Sequence, residues 1–127
     1  MRIDGETAAK LAPWFPGLNL GRVRLVTRGP VCWFVRKVLR QGAMTFAPFV
    51  FFGSHAFNPL DEGSLALLAH ELKHVEQYGR YGYVGFLARY FWALARNQFR
   101  YSAELPLEAE AYALQARVRS GLGGAHL

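Results

Sequence analysis

The segment SLALLAHELKHVEQY, residues 64–78, constrains the fold more than any other part of the chain. Its large apolar residues recur at helical spacing and indicate one face that packs on a core: Leu65, Leu68, Leu72 and Val75. His70 and His74 lie off that face, and their separation of four residues places them one helical turn apart on a common side. The segment is therefore predicted to be an amphipathic helix that presents two imidazole rings together.

The flanking residues predict where this helix and the two that follow it begin and end. Residues typical of a helix start precede it: Asn58, Pro59, Asp61, Glu62 and Ser64. Gly79 is predicted to end it. A second helix is predicted over residues 83–101, and its apolar side is formed by Phe86, Leu87, Tyr90, Phe91, Leu94 and Ala95. Leu105 and Pro106 open a last helix, which is predicted to end at the glycines Gly121, Gly123 and Gly124.

The chain before this helix contains the segments that favour strands. GRVRLV, residues 21–26, predicts a half-buried strand, and residues 31–40 predict a short helix. AMTFAPFVFF, residues 43–52, has the composition of a strand, and Pro48 within it favours an edge or bulged strand. Strands that precede helices predict an α+β fold, with a small sheet followed by the histidine-bearing helix and two further helices. A length of 127 residues, 52% of them apolar, predicts a single domain over residues 1–127.

The charge of the chain is strongly positive and unevenly distributed. The formal net charge is +6, and no acidic residue occurs between Thr7 and Leu60 or between Gln77 and Ala103. Such a surface attracts anions, including acidic lipids, so peripheral contact with an anionic membrane is one interpretation. Solubility of an aromatic-rich domain is the interpretation that we favour. No phosphate-binding loop or RNA-binding motif is present, so no specific nucleic-acid partner is predicted.

Other features limit the class of protein. The single cysteine, Cys32, excludes an internal disulfide framework and a cysteine-based zinc finger. No run of 18 apolar residues predicts a transmembrane helix, and the first residues lack the apolar region of a secretory signal. We therefore expect a cytoplasmic location, although an unconventionally exported protein would have the same features. Residues 82–99 mix aromatic residues with arginine and could lie at a membrane interface, but packing on the histidine-bearing helix explains them as well.

The two histidines belong to an HExxH motif, His70-Glu71-Leu72-Lys73-His74. Two imidazoles one turn apart can bind one metal ion, and zinc accepts such nitrogen ligands together with a carboxylate. Glu71 lies about 100° around the helix from His70 and can reach a metal-bound water without binding the metal. This pattern predicts Zn²⁺ as the cofactor and Glu71 as a general base, although other transition metals suit the same ligands.

A third ligand must come from another part of the chain. The candidates are His55, His126, Cys32 and the glutamates Glu104, Glu108 and Glu110. A glutamate on a later helix that packs against the motif is favoured, and Glu108 and Glu110 cannot both face the metal because they are two residues apart. Whichever is not the ligand could accept a hydrogen bond from a histidine.

Hydrolysis also requires a donor to the oxyanion that develops on the substrate. The candidates in this chain are Tyr78, Tyr81, Tyr83, Tyr112 and His55. Gln77 lies one turn after His74 and could form a hydrogen bond across the site. Sequence alone does not choose among them.

These motifs resemble those of a known group of enzymes. HExxH followed by a later helix with the segment Glu108-Ala109-Glu110-Ala111-Tyr112 resembles the gluzincin group of zinc metallopeptidases. The stretch VFFGSHAFNPLDEGSLALLAHELKHVEQ, residues 50–77, is similar to small bacterial metallopeptidase-like domains, some of them linked to contractile injection systems. This resemblance implies a minimal zincin-like fold, His70, His74 and Glu108 as zinc ligands, and Glu71 as the catalytic base. The resembling peptidases often have Asp where this chain has Tyr112, so Glu110 stays an alternative ligand.

The function predicted from these observations is zinc-dependent hydrolysis of a peptide or protein substrate. Residues 43–52 are the candidate edge strand that would bind the substrate backbone. Few residues are left to build the far wall of a cleft, so a homodimer or a protein partner could complete it. The alternatives are a non-catalytic zinc-binding or assembly module on the same scaffold and a basic peripheral protein that binds anions.

Overall fold

The fold is a three-stranded sheet covered by helices, which confirms the predicted α+β class. The structure is a computed structural model, and it describes residues 2–37, 43–53, 61–98, 102 and 104–124. In chain order, its longer elements are α1 (Gly5–Leu11), β1 (Arg24–Val26), α2 (Pro30–Lys37), β2 (Ala43–Phe46), β3 (Phe49–Phe52), α3 (Glu62–Arg96) and α4 (Pro106–Gly124). Two short 3₁₀ turns cover Ala12–Trp14 and Leu20–Arg22.

The strands are arranged in the order β1–β3–β2. β1 pairs with β3 in parallel, and β2 pairs with β3 in antiparallel register, with Thr45 opposite Val50. The prediction of one strand over residues 43–52 was wrong, because Ala47 and Pro48 form a turn between two strands. Proline lacks an N–H and is better accommodated in that turn than in a ladder. β2 lies at the edge of the sheet that the structure describes, and α3 packs against it.

Helix α3 does not end at the predicted residue, Gly79, but is bent at Gly82. Asp61 caps its start by accepting a hydrogen bond from the backbone N–H of Ser64 at 3.0 Å. Gly79 was predicted to end the helix, but the helix continues through it and breaks at Gly82, where φ is 73° and ψ is 165°. Glycine adopts this conformation without the steric cost that a Cβ would impose. The segment after Gly82 ends at Arg96, before the predicted end at Tyr101.

The core lies between the sheet and the first part of α3. The four residues of the predicted apolar face are all buried: Leu65, Leu68, Leu72 and Val75. Leu114 and Val118 of α4 join the same cluster with Val50 and Phe52 of β3. The apolar side predicted for the segment after Gly82 was only partly right, because Phe86 is buried whereas Phe91 is 59% exposed. None of the described helices is both long and apolar enough to cross a membrane.

Alanine substitutions at two glycines of α3 test the bend. We expect Gly82→Ala to lower the free energy of unfolding by about 1–3 kcal/mol, because alanine would be held in a strained backbone conformation. Gly79→Ala is the matched control, since an added Cβ meets no atom within 4 Å at either site and only Gly82 has non-helical angles. This control should raise the free energy of unfolding by about 0.5–1 kcal/mol. Chemical denaturation followed by circular dichroism measures the free energy of unfolding of both variants. Equal effects of the two substitutions would contradict the placement of the bend at Gly82.

Candidate metal centre

Two histidines of α3 and one glutamate of α4 converge on a single point. His70 Nε2 lies 3.1 Å and His74 Nε2 lies 2.8 Å from the same carboxylate oxygen, Glu108 Oε1. The three candidate ligand atoms all lie within 4.8 Å of one another, and all three residues are buried. The structure therefore contains a buried His-His-Glu cluster that could hold a metal ion.

The fold positions Glu108 in the first turn of α4, directly after the helix begins at Pro106. Leu107 and Ala111 are buried and fix the helix against its neighbours, and α3 is the element that α4 contacts most. A carboxylate in the first turn is also favoured by the helix dipole. Helix α4 thus delivers a negative charge to the face of α3 that carries both imidazoles.

Gln77 fixes the orientation of the His74 ring. Its side chain is fully buried, its Nε2 donates to the carbonyl of Leu107 at 3.1 Å, and its Oε1 lies 2.9 Å from His74 Nδ1. Because Oε1 is an acceptor, His74 Nδ1 carries a proton, and Nε2 faces the Glu108 carboxylate. A nitrogen lone pair and a carboxylate oxygen at 2.8 Å repel unless a cation lies between them. A proton or a metal ion meets that requirement, so the donor set fits a cation site.

The protonation of the cluster follows from its contacts. Burial opposes the charge on His74, but the hydrogen bond to Glu108 and the nearby charge of Glu71 raise the pKa of His74 above its ordinary value. Burial also opposes ionisation of Glu108, yet the hydrogen bonds from His70 and His74 hold its pKa far below the ordinary range. The contacts within the cluster therefore favour the ionised form of Glu108 and the charged form of His74.

Glu71 lies beside the cluster without belonging to it. The residue is 4% exposed, and burial raises its pKa above the ordinary value of a carboxylate. The hydroxyl of Thr45, on β2, donates to Glu71 Oε2 at 2.7 Å. Sequence reasoning missed Thr45, because no local pattern indicates that a threonine on a strand faces the motif.

Two tyrosines contact the cluster. The hydroxyl of Tyr90 donates to Glu108 Oε2 at 3.0 Å, and the ring of Tyr112 lies edge-on to the His70 ring with centroids 4.3 Å apart. Tyr112 was among the predicted candidates, whereas Tyr90 was considered only as a core residue. The spacing of apolar residues around Tyr90 does not predict its contact with Glu108. The direction in which this segment faces is set by the bend at Gly82, which the spacing does not reveal.

The alternative ligand Glu110 lies outside the cluster. It accepts hydrogen bonds from Gln77 Nε2 at 3.0 Å and Arg80 Nη1 at 3.2 Å, and Lys73 Nζ lies 3.7 Å away. Burial opposes ionisation of Glu110. The hydrogen bond from Gln77 and the charges of Lys73 and Arg80 outweigh it and lower the pKa of Glu110. Glu110 therefore reaches the metal site only through Gln77 and His74.

The remaining predicted candidates have other positions. His55 and His126 lie outside the described residues. Cys32 is buried and its thiol contacts the carbonyl of Val26 in β1. Tyr78 donates its hydroxyl to the carbonyl of Thr45 at 3.2 Å, and its ring contacts that of Tyr83. Tyr81 lies against the guanidinium group of Arg89.

The cluster lies in the wall of a cleft of about 560 Å³. β2 forms one side of this cleft, and the segment of α3 after Gly82 forms another. Most of its lining is apolar and includes Met44, Phe46, Leu67, Leu87, Phe91 and Leu94. The polar groups of the lining are concentrated at the cluster, an arrangement typical of ligand-binding sites.

Comparison with known proteins shows the family of the chain. The family model of the eCIS core domain, where eCIS denotes the extracellular contractile injection system, matches residues 2–82, which is more than half of the chain. The chain therefore belongs to the eCIS core domain family. The matched residues include His70, Glu71 and His74, whereas Glu108 and Tyr90 follow them. No curated protein and no solved structure matches the chain.

Removing one glutamate at a time distinguishes the two candidate ligands. We expect Glu108→Gln to weaken zinc binding by at least ~100-fold, because it removes the charge that both imidazoles share. Glu110→Gln, the matched control, should weaken it by less than ~10-fold, because Glu110 acts only through Gln77. Competition with a chromophoric chelator measures both affinities. A larger loss in Glu110→Gln than in Glu108→Gln would contradict the assignment.

The affinity for zinc should also depend on pH. Zinc and a proton compete for His74 Nε2, and the raised pKa of His74 extends this competition upward in pH. Glu108 stays ionised throughout because its pKa is lowered. We expect affinity to increase about tenfold per pH unit while His74 is protonated and to level off above its pKa. Calorimetry in buffers of different ionisation enthalpy counts the released protons, and binding without proton release would contradict this protonation state.

Proposed function

We propose that this member of the eCIS core domain family is a zinc-dependent hydrolase of the zincin type, with a peptide or protein as its substrate. The observation that supports this most is the position of Glu71. It is a buried carboxylate with a raised pKa, next to a His-His-Glu cluster and in the wall of a cleft. A structural metal site does not require such a base.

The proposed reaction is the attack of water on a substrate carbonyl. Zinc held by His70, His74 and Glu108 would act as a Lewis acid and lower the pKa of a coordinated water to about 7. Glu71 would accept a proton from the attacking water and return it to the leaving amine, so that a C–O bond forms as the C–N bond breaks. A carboxylate with a raised pKa holds an accepted proton more readily than an ordinary one, which suits transfer of that proton to the leaving amine.

The cleft has features that suit an extended peptide. β2 is at the edge of the described sheet and lines the cleft along its whole length, from Ala43 to Phe46. A substrate could add to this edge as a further strand, with backbone hydrogen bonds that do not depend on sequence. The apolar lining favours large apolar side chains, and Tyr112, whose ring lies against that of His70, is the candidate donor to the developing oxyanion.

A non-catalytic zinc module is the second candidate, because one observation favours it. His70, His74 and Glu108 are 4–6% exposed, and they join α3 to α4. Zinc in such a position stabilises the packing of two helices whether or not it does chemistry. In that case the protein partners of an injection-system assembly, rather than a substrate, would use the surface.

The substitution Glu71→Gln separates these candidates. We expect it to leave zinc bound at one ion per chain and to lower the rate of peptide cleavage by about 10²–10⁴-fold, because the amide cannot accept the proton. Glu76→Gln is the matched control on the same helix, and it should keep wild-type activity because Glu76 pairs with Lys73 and Arg80 outside the cleft.

The measurement is mass-spectrometric detection of cleavage in a peptide library by zinc-loaded protein. Cleavage by the wild type and by Glu76→Gln, but not by Glu71→Gln, supports the proposal that the protein is a hydrolase. Equal cleavage by Glu71→Gln, or no cleavage by any zinc-loaded form, contradicts it and leaves the structural zinc module.

A further inference from the structure

The side chain of Glu71 is held by a residue that lies outside the motif. Thr45 Oγ1 lies 2.7 Å from Glu71 Oε2 and 3.2 Å from the Glu71 main-chain carbonyl, so the strand residue spans both parts of the glutamate. Among the described residues, no other group forms a hydrogen bond with the Glu71 carboxylate, which leaves its second oxygen, Oε1, unheld.

Thr45 itself is fixed by the structure around it. Its side chain is 8% exposed, it pairs with Val50 of β3, and its carbonyl accepts the hydroxyl of Tyr78 at 3.2 Å. Thr45 thus joins β2 to α3 twice, through its hydroxyl to Glu71 and through its carbonyl to Tyr78. A buried hydroxyl with these restraints has little freedom to leave its partner.

We propose that Thr45 is a positioning residue, whose hydroxyl fixes Glu71 Oε2 so that Oε1 is presented to the reacting water. This inference rests on the proposed hydrolase function and adds the strand residue that aligns its base. A hydroxyl suits this role because Oε2 accepts its hydrogen bond both when Glu71 is ionised and when Oε1 carries the proton, so the contact persists in both states of a proton shuttle.

The position of Thr45 also relates the base to the substrate. Thr45 is on the same edge strand that would bind an extended peptide, and both it and Glu71 line the cleft. Glu71 is therefore aligned by β2, the strand beside which the scissile bond of the substrate would lie. Misalignment of a base by about 1 Å is enough to lower rates about 10²-fold, so loss of the hydroxyl should affect turnover rather than binding.

The test compares Thr45→Val, which keeps the shape and removes the hydroxyl, with Thr45→Ser, which keeps the hydroxyl. We expect Thr45→Val to lower kcat by about 10–100-fold while KM and zinc affinity change by less than about twofold. Thr45→Ser should recover kcat to within about threefold of the wild type. In a Glu71→Gln background, Thr45→Val should have no further effect on kcat. Equal losses in both Thr45 variants, or a loss confined to KM, would overturn the proposal.

A second measurement needs no activity. Thermal unfolding of the metal-free protein is compared for Thr45→Val, Glu71→Met and the double variant. The proposal predicts non-additive shifts of the midpoint, because either substitution alone removes the same hydrogen bond. Additive shifts would show that the contact is not formed and would overturn it. If zinc-loaded wild type cleaves no peptide, the proposed function fails and with it any catalytic role of Thr45, whereas the unfolding cycle still decides whether the hydroxyl holds Glu71.

Discussion

Helices α3 and α4 meet at one shared atom, the carboxylate oxygen of Glu108 that both His70 and His74 contact. Burying two imidazoles and a carboxylate costs free energy unless each group has a partner of suitable charge. The structure satisfies this by placing the first turn of α4 directly against the motif. The same arrangement places His74 Nε2 against the Glu108 carboxylate, and a proton or a metal ion is needed between these two groups. The packing of α4 on α3 and the suitability of the cluster for a cation are thus two consequences of one constraint.

The bend at Gly82 lets a single helix serve both sides of the cleft. Before the bend, α3 carries the motif; after it, the same helix carries Tyr90 to the second oxygen of Glu108. The family model ends at residue 82, so the motif and Thr45 belong to the matched part, and Glu108 and Tyr90 follow it. The candidate site therefore combines a motif that the family model covers with ligand and tyrosine groups supplied by the part of the chain after it.

Sequence could predict those parts of the fold and of the candidate site that have a local signal. The period of leucines and the spacing of the histidines predict the motif helix, because both are set by helix geometry. The choice between Glu108 and Glu110 was left open, because it depends on the rotation of α4 against α3. Thr45 could not be found, since its contact with Glu71 joins residues 26 positions apart. Sequence also could not place the break at Gly82 rather than Gly79, because glycine permits a bend at either position.

Anomalous diffraction at the zinc edge, from crystals grown with zinc, locates the metal between α3 and α4. We expect one peak per chain, about 2.0–2.2 Å from His70 Nε2, His74 Nε2 and a Glu108 carboxylate oxygen. We also expect Gln77 Oε1 to stay in contact with His74 Nδ1, and Glu71 not to bind the ion. A peak bound by Glu110 in place of Glu108, or no peak between α3 and α4 when zinc is present, would contradict this placement of the metal.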